Sequence, residues 1–212
     1  MNVLILGCSF GVPENGCPTE YHTETQLKLR GHNVINCARS GISNLESLAF
    51  AEQFSGLIPY QIDWVVWFHT ELIRDLAYLV NYRSFDFDEA ASIVYNNYSQ
   101  FVKKQRCKLA VIGGAAPVHP KLFNFIQPDF CIPSWFNKIL NLELPQIQTL
   151  SRLDIIEKLQ GIGPQRKLEI LEQHEKILDA LLASDDFPDN YHPGIRPHFE
   201  LAAELHETFL RK

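Results

Sequence analysis

Short apolar runs alternate with amphipathic segments along most of the chain. The first run, Val3–Phe10, is rich in branched residues and reaches Gly7 before two small residues, Cys8 and Ser9. Short runs of this kind predict strands buried on both faces, as in parallel sheets that helices cover. Ligands bind just beyond the carboxyl ends of strands in such sheets. Cys8 and Ser9 therefore lie where a functional site is expected.

The same pattern predicts four further strands and several helices. The predicted strands are Asn33–Cys37, Asp63–Phe68, Lys108–Ile112 and Phe130–Ile132. The predicted helices are Thr23–Leu29, a helix that Ser43 or Asn44 caps and that buries Leu45, Leu48, Ala49 and Ala51, the long helix Phe87–Gln105, and a terminal helix from about Phe199. Strands that alternate with helices are typical of an α/β fold with a central parallel sheet.

The composition changes between Leu150 and Ala183, where the chain is charged and rich in Leu and Ile. This stretch predicts two helices, separated at Gly161-Ile162-Gly163-Pro164. A chain of 212 residues is long enough for one domain with a sizeable core. We therefore expect residues 1–212 to form a single domain with a helical insert at about residues 134–184.

Charge and cysteine usage limit the classes of partner. A formal net charge of −6 disfavours non-specific nucleic-acid binding. No apolar run approaches the roughly 20 residues that span a bilayer, and no secretory signal is visible. The five cysteines are scattered and form no Cys-x-x-Cys pair, so the sequence gives no signal for a zinc site. These features predict a cytoplasmic protein without a membrane partner.

A second informative stretch, Asp189–Gly194, lies near the C-terminal end of the chain. Asp189 precedes His192 by three residues, so a turn can bring both side chains to one side. Such a histidine can take a proton from the weakly nucleophilic hydroxyl of Ser9, while the aspartate holds the imidazole. Cys8 is a rival nucleophile and His198 a rival base. Alternatively, Ser9 only caps a helix and His192 is a solvated loop residue.

Four blocks in chain order carry a family resemblance. They are Gly7-Cys8-Ser9 after the first strand, Asn36–Gly41 after the second, Phe68-His69-Thr70-Glu71 after the third, and Asp189–His192. Together they resemble the SGNH/GDSL hydrolase superfamily of esterases, lipases and carbohydrate deacetylases. Two blocks depart from its pattern, because Cys8 replaces the usual aspartate and the third block lacks its asparagine.

The resemblance implies a three-layer α/β/α flavodoxin-like sandwich with a central parallel sheet of about five strands. It also implies a serine hydrolase that cleaves an ester or O-acyl group of a small molecule or glycan, with no metal or organic cofactor. Ser9, Asp189 and His192 take the catalytic positions. The amides of Ser9 and Gly41 take the oxyanion positions, and Thr70 or His69 stands in for the missing asparagine.

Two other functions stay open at this point. The departures in the first and third blocks also suit a catalytically degenerate module that only binds a partner. The stretch Leu159–Leu171 resembles a helix-hairpin-helix motif, in which Gly161–Lys167 would present amides to a nucleic-acid phosphate. Glutamates crowd the same helices and weaken that attraction. A plain helical hairpin, covering the site or forming a dimer contact, is the preferred interpretation.

Overall fold

A parallel sheet of five strands forms the centre of the protein. The computed structural model describes residues 1–72, 74–75, 87–114, 117–141, 179–180, 183–188 and 192–211. The strands are β1 (Asn2–Gly7), β2 (Asn33–Asn36), β3 (Trp64–His69), β4 (Lys108–Gly113) and β5 (Phe130–Ile132). They pair in parallel in the order β2-β1-β3-β4-β5. The predicted α/β class and flavodoxin-like sheet are therefore confirmed.

Helices cover the sheet on both faces. The described helices are α1 (Thr23–Leu29), α2 (Asn44–Ser55), α3 (Phe87–Gln105), α4 (Leu122–Phe125), α5 (Trp135–Leu140) and α6 (Ile195–Leu210). Side chains of α1, α5 and α6 share one buried cluster with the sheet. Side chains of α2, α3 and α4 share another. The result is three layers, with a core on each side of the sheet.

The apolar runs of the sequence follow from this burial on two faces. In β1, Val3 and Ile5 lie in the first cluster, whereas Leu4 and Leu6 lie in the second. Successive side chains of a strand point to opposite faces, so both sets must be apolar when helices cover both faces. A run without polar alternation is the expected consequence.

Several boundaries differ from the sequence prediction. The terminal helix begins at Ile195 rather than at Phe199, because Pro197 fits the first turn, where its missing N–H is not needed. Of the two predicted caps, Ser43 is the one that caps α2, in a capping box with Glu46, and Asn44 is the first residue of the helix. The prediction that Ala49 is buried is wrong. Asn44, Ser47, Leu48 and Ala51 form the buried stripe of α2, and Ala49 lies off it.

The insert predicted at about residues 134–184 lies largely outside the described residues. The same holds for Gly161–Lys167 and for Asp189. Helix α5 lies in the first part of this segment, and its Trp135 and Phe136 pack in the core. Within the described ranges, no helix is long and apolar enough to cross a bilayer.

We predict that Gly7→Ala severely destabilises the fold. Gly7 has φ +121°, and a Cβ there would lie 2.0 Å from the carbonyl oxygen of Phe68 on β3. The overlap is with backbone in the middle of the sheet, so relief requires strand displacement. We expect a loss of at least about 3 kcal/mol in the free energy of unfolding, measured by guanidinium denaturation.

Gly31→Ala is the matched control for this prediction. Gly31 also has positive φ, +83°, but no atom lies within 4 Å of the Cβ position. Only the strain of the positive φ acts there, so we expect a loss of about 1 kcal/mol in the free energy of unfolding. Equal losses for the two variants would contradict the steric explanation.

Candidate active site

Ser9 lies at the carboxyl edge of the sheet, directly after β1. It begins a 3₁₀ turn, Ser9–Gly11, and its carbonyl oxygen accepts hydrogen bonds from the Val12 amide at 3.1 Å and from Asn15 Nδ2 at 3.2 Å. Only 5% of the residue is exposed. The strand order reverses between β1 and β3, and such a switch point opens a ligand crevice at the carboxyl ends of the strands. Ser9 is therefore at the edge that the sequence predicts.

His192 reaches the same edge from the segment before α6. Its ring packs edge-on against Phe10, with 5.8 Å between the ring centroids. The backbone passes so close at Gly16 that a Cβ there would lie 2.5 Å from His192 Cβ. Phe10 follows Ser9 in the 3₁₀ turn. The structure thus brings together the regions of two residues that are 183 positions apart in the sequence.

The backbone that follows His192 is held by Asp186. The Gly194 amide donates to the Asp186 carbonyl oxygen at 2.6 Å. The Asp186 carboxylate pairs with the Arg196 guanidinium, with 2.9 Å between Oδ1 and Nε. These contacts tie the start of α6 to the preceding loop. Asp189, the residue predicted to orient His192, lies outside the described residues.

The loop after β2 is tied to the Ser9 turn by Asn36. Asn36 Nδ2 donates to the Gly11 carbonyl oxygen at 2.7 Å and to Glu24 Oε2 at 2.8 Å. Its Oδ1 accepts from the Ala38 amide at 2.9 Å. Gly41 lies farther along this loop and is exposed. The asparagine of the second block thus joins the loop that carries Gly41 to the turn that carries Ser9.

The two residues considered for the missing asparagine occupy different environments. His69 is buried with Nε2 3.2 Å from the Tyr95 hydroxyl, and its ring contacts Trp67. Burial, followed by the nearby His119, lowers the pKa of His69 to about 3. Thr70 is also buried, and its side chain acts to lower the pKa of the Cys8 thiol, against the larger effect of burial. Thr70 is therefore close to Cys8, the residue before Ser9.

The rival residues have the surroundings of core side chains. Cys8 is 1% exposed, and burial raises the pKa of its thiol, opposed in part by a backbone hydrogen bond from Phe10. His198 is fully buried, with Nδ1 2.8 Å from Thr23 Oγ1 and its ring against Trp135. Burial lowers the pKa of His198 well below its usual value, and His22 and His192 act in the same direction. A buried thiol is usually inert.

The sequence interpretation missed two buried polar residues at this edge. Asn44 and Asp75 are both fully buried and are joined to each other by a hydrogen bond of 2.7 Å. Asn44 also bonds to the Thr70 amide, and Asp75 also accepts from the Leu45 amide. The sequence pattern predicts Asn44 only as a possible helix cap, and it predicts no role for Asp75, five residues after Thr70. For Asn44 the sequence held one signal, which is that a polar residue stands in the first turn of a helix that Ser43 already caps.

No metal centre is formed by the residues that the structure describes. Among them, no group of three or more His, Cys, Asp or Glu side chains is arranged to hold a metal ion. All five cysteines are free thiols.

Comparison with solved structures finds esterases and lipases. The chain aligns with TesA over 99% of its own length and 98% of the other chain, at 14% identity and a TM-score of 0.50. It aligns with a carbohydrate esterase over 100% of its length and 65% of that chain, at 13% identity and a TM-score of 0.50. Alignment with the acetyl xylan esterase AlAXEase covers 55% of this chain and 59% of that one, at 22% identity and a TM-score of 0.37.

These neighbours identify the fold. Neither protein-family models nor curated protein sequences match the chain. The chain spans less than two thirds of the acetyl xylan esterase and of the carbohydrate esterase. The protein has the α/β fold of SGNH/GDSL hydrolases at low sequence identity. The predicted resemblance is confirmed at that level, and the activity is a matter of proposal.

Proposed function

We propose that the protein is a serine hydrolase that cleaves an ester or O-acyl group. One observation carries the proposal: Ser9 begins the turn after β1, and His192 packs against the next residue of that turn, Phe10. The turn that carries Ser9 and the segment that carries His192, from opposite ends of the chain, are thus in contact near the switch point of a parallel sheet. The esterase and lipase neighbours have the same fold and support this class of chemistry.

The proposed mechanism assigns a role to each predicted site residue. The Ser9 hydroxyl attacks the acyl carbonyl carbon, and His192 accepts the proton and later returns it to the leaving alcohol. Asp189 holds the imidazole and stabilises its charged form. The amides of Ser9 and Gly41 and the hydroxyl of Thr70 donate to the oxyanion. Water then releases the acyl group from Ser9, again with His192 as base.

The substrate that fits this chemistry is a small-molecule or glycan acyl ester. A carbohydrate esterase is among the structural neighbours, so acylated glycans and simple acyl esters are reasonable first assays. The chemistry needs no metal ion and no organic cofactor. A single domain over residues 1–212, with the segment at about 134–184 as an insert, is part of the proposal.

A cytoplasmic location is also part of the proposal. It is supported by the five free thiols, since scattered reduced cysteines suit a reducing compartment. The charge of −6 argues against nucleic acid as a partner, including at Gly161–Lys167.

Fluorophosphonate labelling tests the function directly. The purified protein is treated with a fluorophosphonate probe, and the modified residue is mapped by mass spectrometry. We expect modification at Ser9, which is lost in His192→Ala and retained in the control variant His206→Ala. A serine that reacts only when a base activates it has this pattern. Absence of labelling, while a reference serine hydrolase reacts, would instead favour the non-catalytic binding module.

A further inference from the structure

Asn44 uses its whole hydrogen-bonding capacity inside the protein. Its Nδ2 donates to the Thr70 carbonyl oxygen at 3.0 Å and to Asp75 Oδ2 at 2.7 Å. Its Oδ1 accepts from the Thr70 amide at 3.0 Å and from Trp67 Nε1 at 3.1 Å. Exchanging the amide nitrogen and oxygen would set donors against donors, so the partners define one orientation. No hydrogen of this amide is left for a substrate.

Thr70 is the residue that Asn44 holds. Both backbone polar groups of Thr70 are bonded to this one side chain, directly after β3 has ended. The side chain thus extends the hydrogen bonding of the sheet by one residue. The Thr70 backbone is fixed beyond the last strand pair, and the direction of its hydroxyl is restricted with it.

Asn44 is itself held from two sides. Asp75 accepts from Asn44 and, through Oδ1, from the Leu45 amide at 2.9 Å, which anchors the carboxylate on the first turn of α2. The Tyr98 hydroxyl of α3 donates a hydrogen bond to the backbone carbonyl oxygen of Asn44 at 3.2 Å. The Tyr98 ring stacks on Trp67, with 3.5 Å between the centroids. A fully bonded buried network of this kind has one low-energy arrangement.

The position of Asn44 in the chain connects the two loops that carry the proposed oxyanion donors. It comes three residues after Gly41, and the capping box of Ser43 fixes the short connection between them. Its side chain reaches the loop that carries Thr70. One residue therefore sets the relative position of the second and third blocks.

We propose that Asn44 is a positioning residue of the hydrolase, which holds Thr70 so that the Thr70 hydroxyl faces the substrate oxyanion. This inference rests on the function proposed above. In the resembling family an asparagine of the third block is itself a donor, whereas this chain lacks it and has a buried asparagine on α2 instead. Asn44 acts through Thr70 and does not contact the substrate.

A double-mutant cycle tests the inference, with the rate of fluorophosphonate modification of Ser9 as the readout. The phosphoryl oxygen of the probe gains negative charge as Ser9 attacks, so the rate reports on the oxyanion donors. We expect Thr70→Ala and Asn44→Ala each to slow modification about 10- to 100-fold. Asn44→Ala should have less than a threefold further effect in the Thr70→Ala background, because it acts through the hydroxyl already removed.

Two further variants keep the test decisive. Tyr98→Phe removes a hydrogen bond to Asn44 but leaves both bonds to Thr70, so a rate within about twofold of the wild type is expected. Asn44→Asp retains the acceptor for the Thr70 amide and loses the donor to the Thr70 carbonyl group; it is combined with Asp75→Asn, so that the 2.7 Å contact between the two side chains keeps one donor and one acceptor. Its rate should lie between those of the wild type and Asn44→Ala, and it serves in the cycle if Asn44→Ala does not fold.

The outcomes separate this inference from the proposed function. Wild-type protein that is not modified at Ser9 overturns both. Modification of the wild type, with Asn44→Ala reacting at the same rate, overturns only the positioning role. Independent effects of Asn44→Ala and Thr70→Ala, whose fold-changes multiply in the double variant, overturn it as well.

Discussion

Replacing Ser9 with alanine is expected to lower kcat/KM for a hydrolysed acyl ester by at least about a thousandfold. The proposed mechanism has one nucleophile, and without the hydroxyl no acyl-enzyme forms. In serine hydrolases the loss of a triad member leaves only the smaller acceleration that the oxyanion hole and binding supply. Steady-state hydrolysis of p-nitrophenyl acetate, followed by the native substrate once it is known, measures the effect.

Cys8→Ala is the matched control for the nucleophile. The two residues are adjacent at the end of β1, but the Cys8 thiol is buried and burial raises its pKa. We expect Cys8→Ala to retain activity within about tenfold, since a buried protonated thiol is a poor nucleophile. The reverse result, with an inactive Cys8→Ala and an active Ser9→Ala, would assign the nucleophile to Cys8.

Acidification from pH 7 towards pH 4 is expected to unfold the protein. Burial lowers the pKa of His22 to about 4 and that of His69 to about 3, and it lowers the pKa of His198 too. In the unfolded chain these groups bind protons near pH 6.5, whereas the folded protein excludes them. Their contribution to stability is therefore complete above pH 6.5 and is lost as the pH falls through the folded pKa values.

The size of this effect is comparable with the stability of a whole domain. One pKa unit corresponds to 1.36 kcal/mol, so His22 or His69 alone accounts for roughly 3 to 5 kcal/mol at low pH. Total stabilities are about 5–15 kcal/mol. Asp75 acts with the opposite sign: burial raises its pKa to about 7, so the folded state gains stability as the pH falls from 7 to 3.8. The loss of stability from the three histidines exceeds the gain from Asp75, so the free energy of unfolding falls on acidification.

Guanidinium unfolding at several pH values between 7.5 and 5 measures this dependence. His69→Phe should flatten the decline of the unfolding free energy below pH 6.5 by about 1.4 kcal/mol per pH unit. The reason is that it removes one group that binds a proton in the unfolded chain but not in the folded protein. Asp75→Asn should make the decline steeper by a similar amount, because it removes the opposing group. A free energy that stays constant from pH 6.5 to 5 in the wild type would contradict the explanation.

Elements that follow from local patterns were predictable. Phe130–Ile132 is a strand of three residues, and its bounds were read correctly from a short apolar run between loops. The bounds of Thr23–Leu29 and Phe87–Gln105 were also correct. The start of the terminal helix was not, because a proline in the first turn resembles a helix breaker in the sequence. Whether it breaks or begins a helix depends on its position in the turn.

The site was predictable only as far as strand ends determine it. Ser9 and Thr70 both follow strands of a parallel sheet, so their presence at one edge follows from the alternation of strands and helices. The partner of each side chain did not follow. His69 and Thr70 are neighbours in the chain, yet the His69 imidazole bonds to Tyr95 of α3, whereas the Thr70 side chain acts on the pKa of the Cys8 thiol. Successive residues near a strand end point to opposite faces.

The amino-acid pattern alone established the fold class, the order of the strands along the chain and the edge at which Ser9 lies. The reason is that strands buried on two faces are short apolar runs, which can be recognised in the sequence. Tertiary structure decided the hydrogen bonds among Asn44, Thr70 and Asp75. Thr70 and Asp75 are 26 and 31 positions from Asn44, and a side-chain hydrogen bond at such a separation leaves no periodic pattern in the sequence. It depends on α2 being packed against the end of β3, which only the assembled layers bring about.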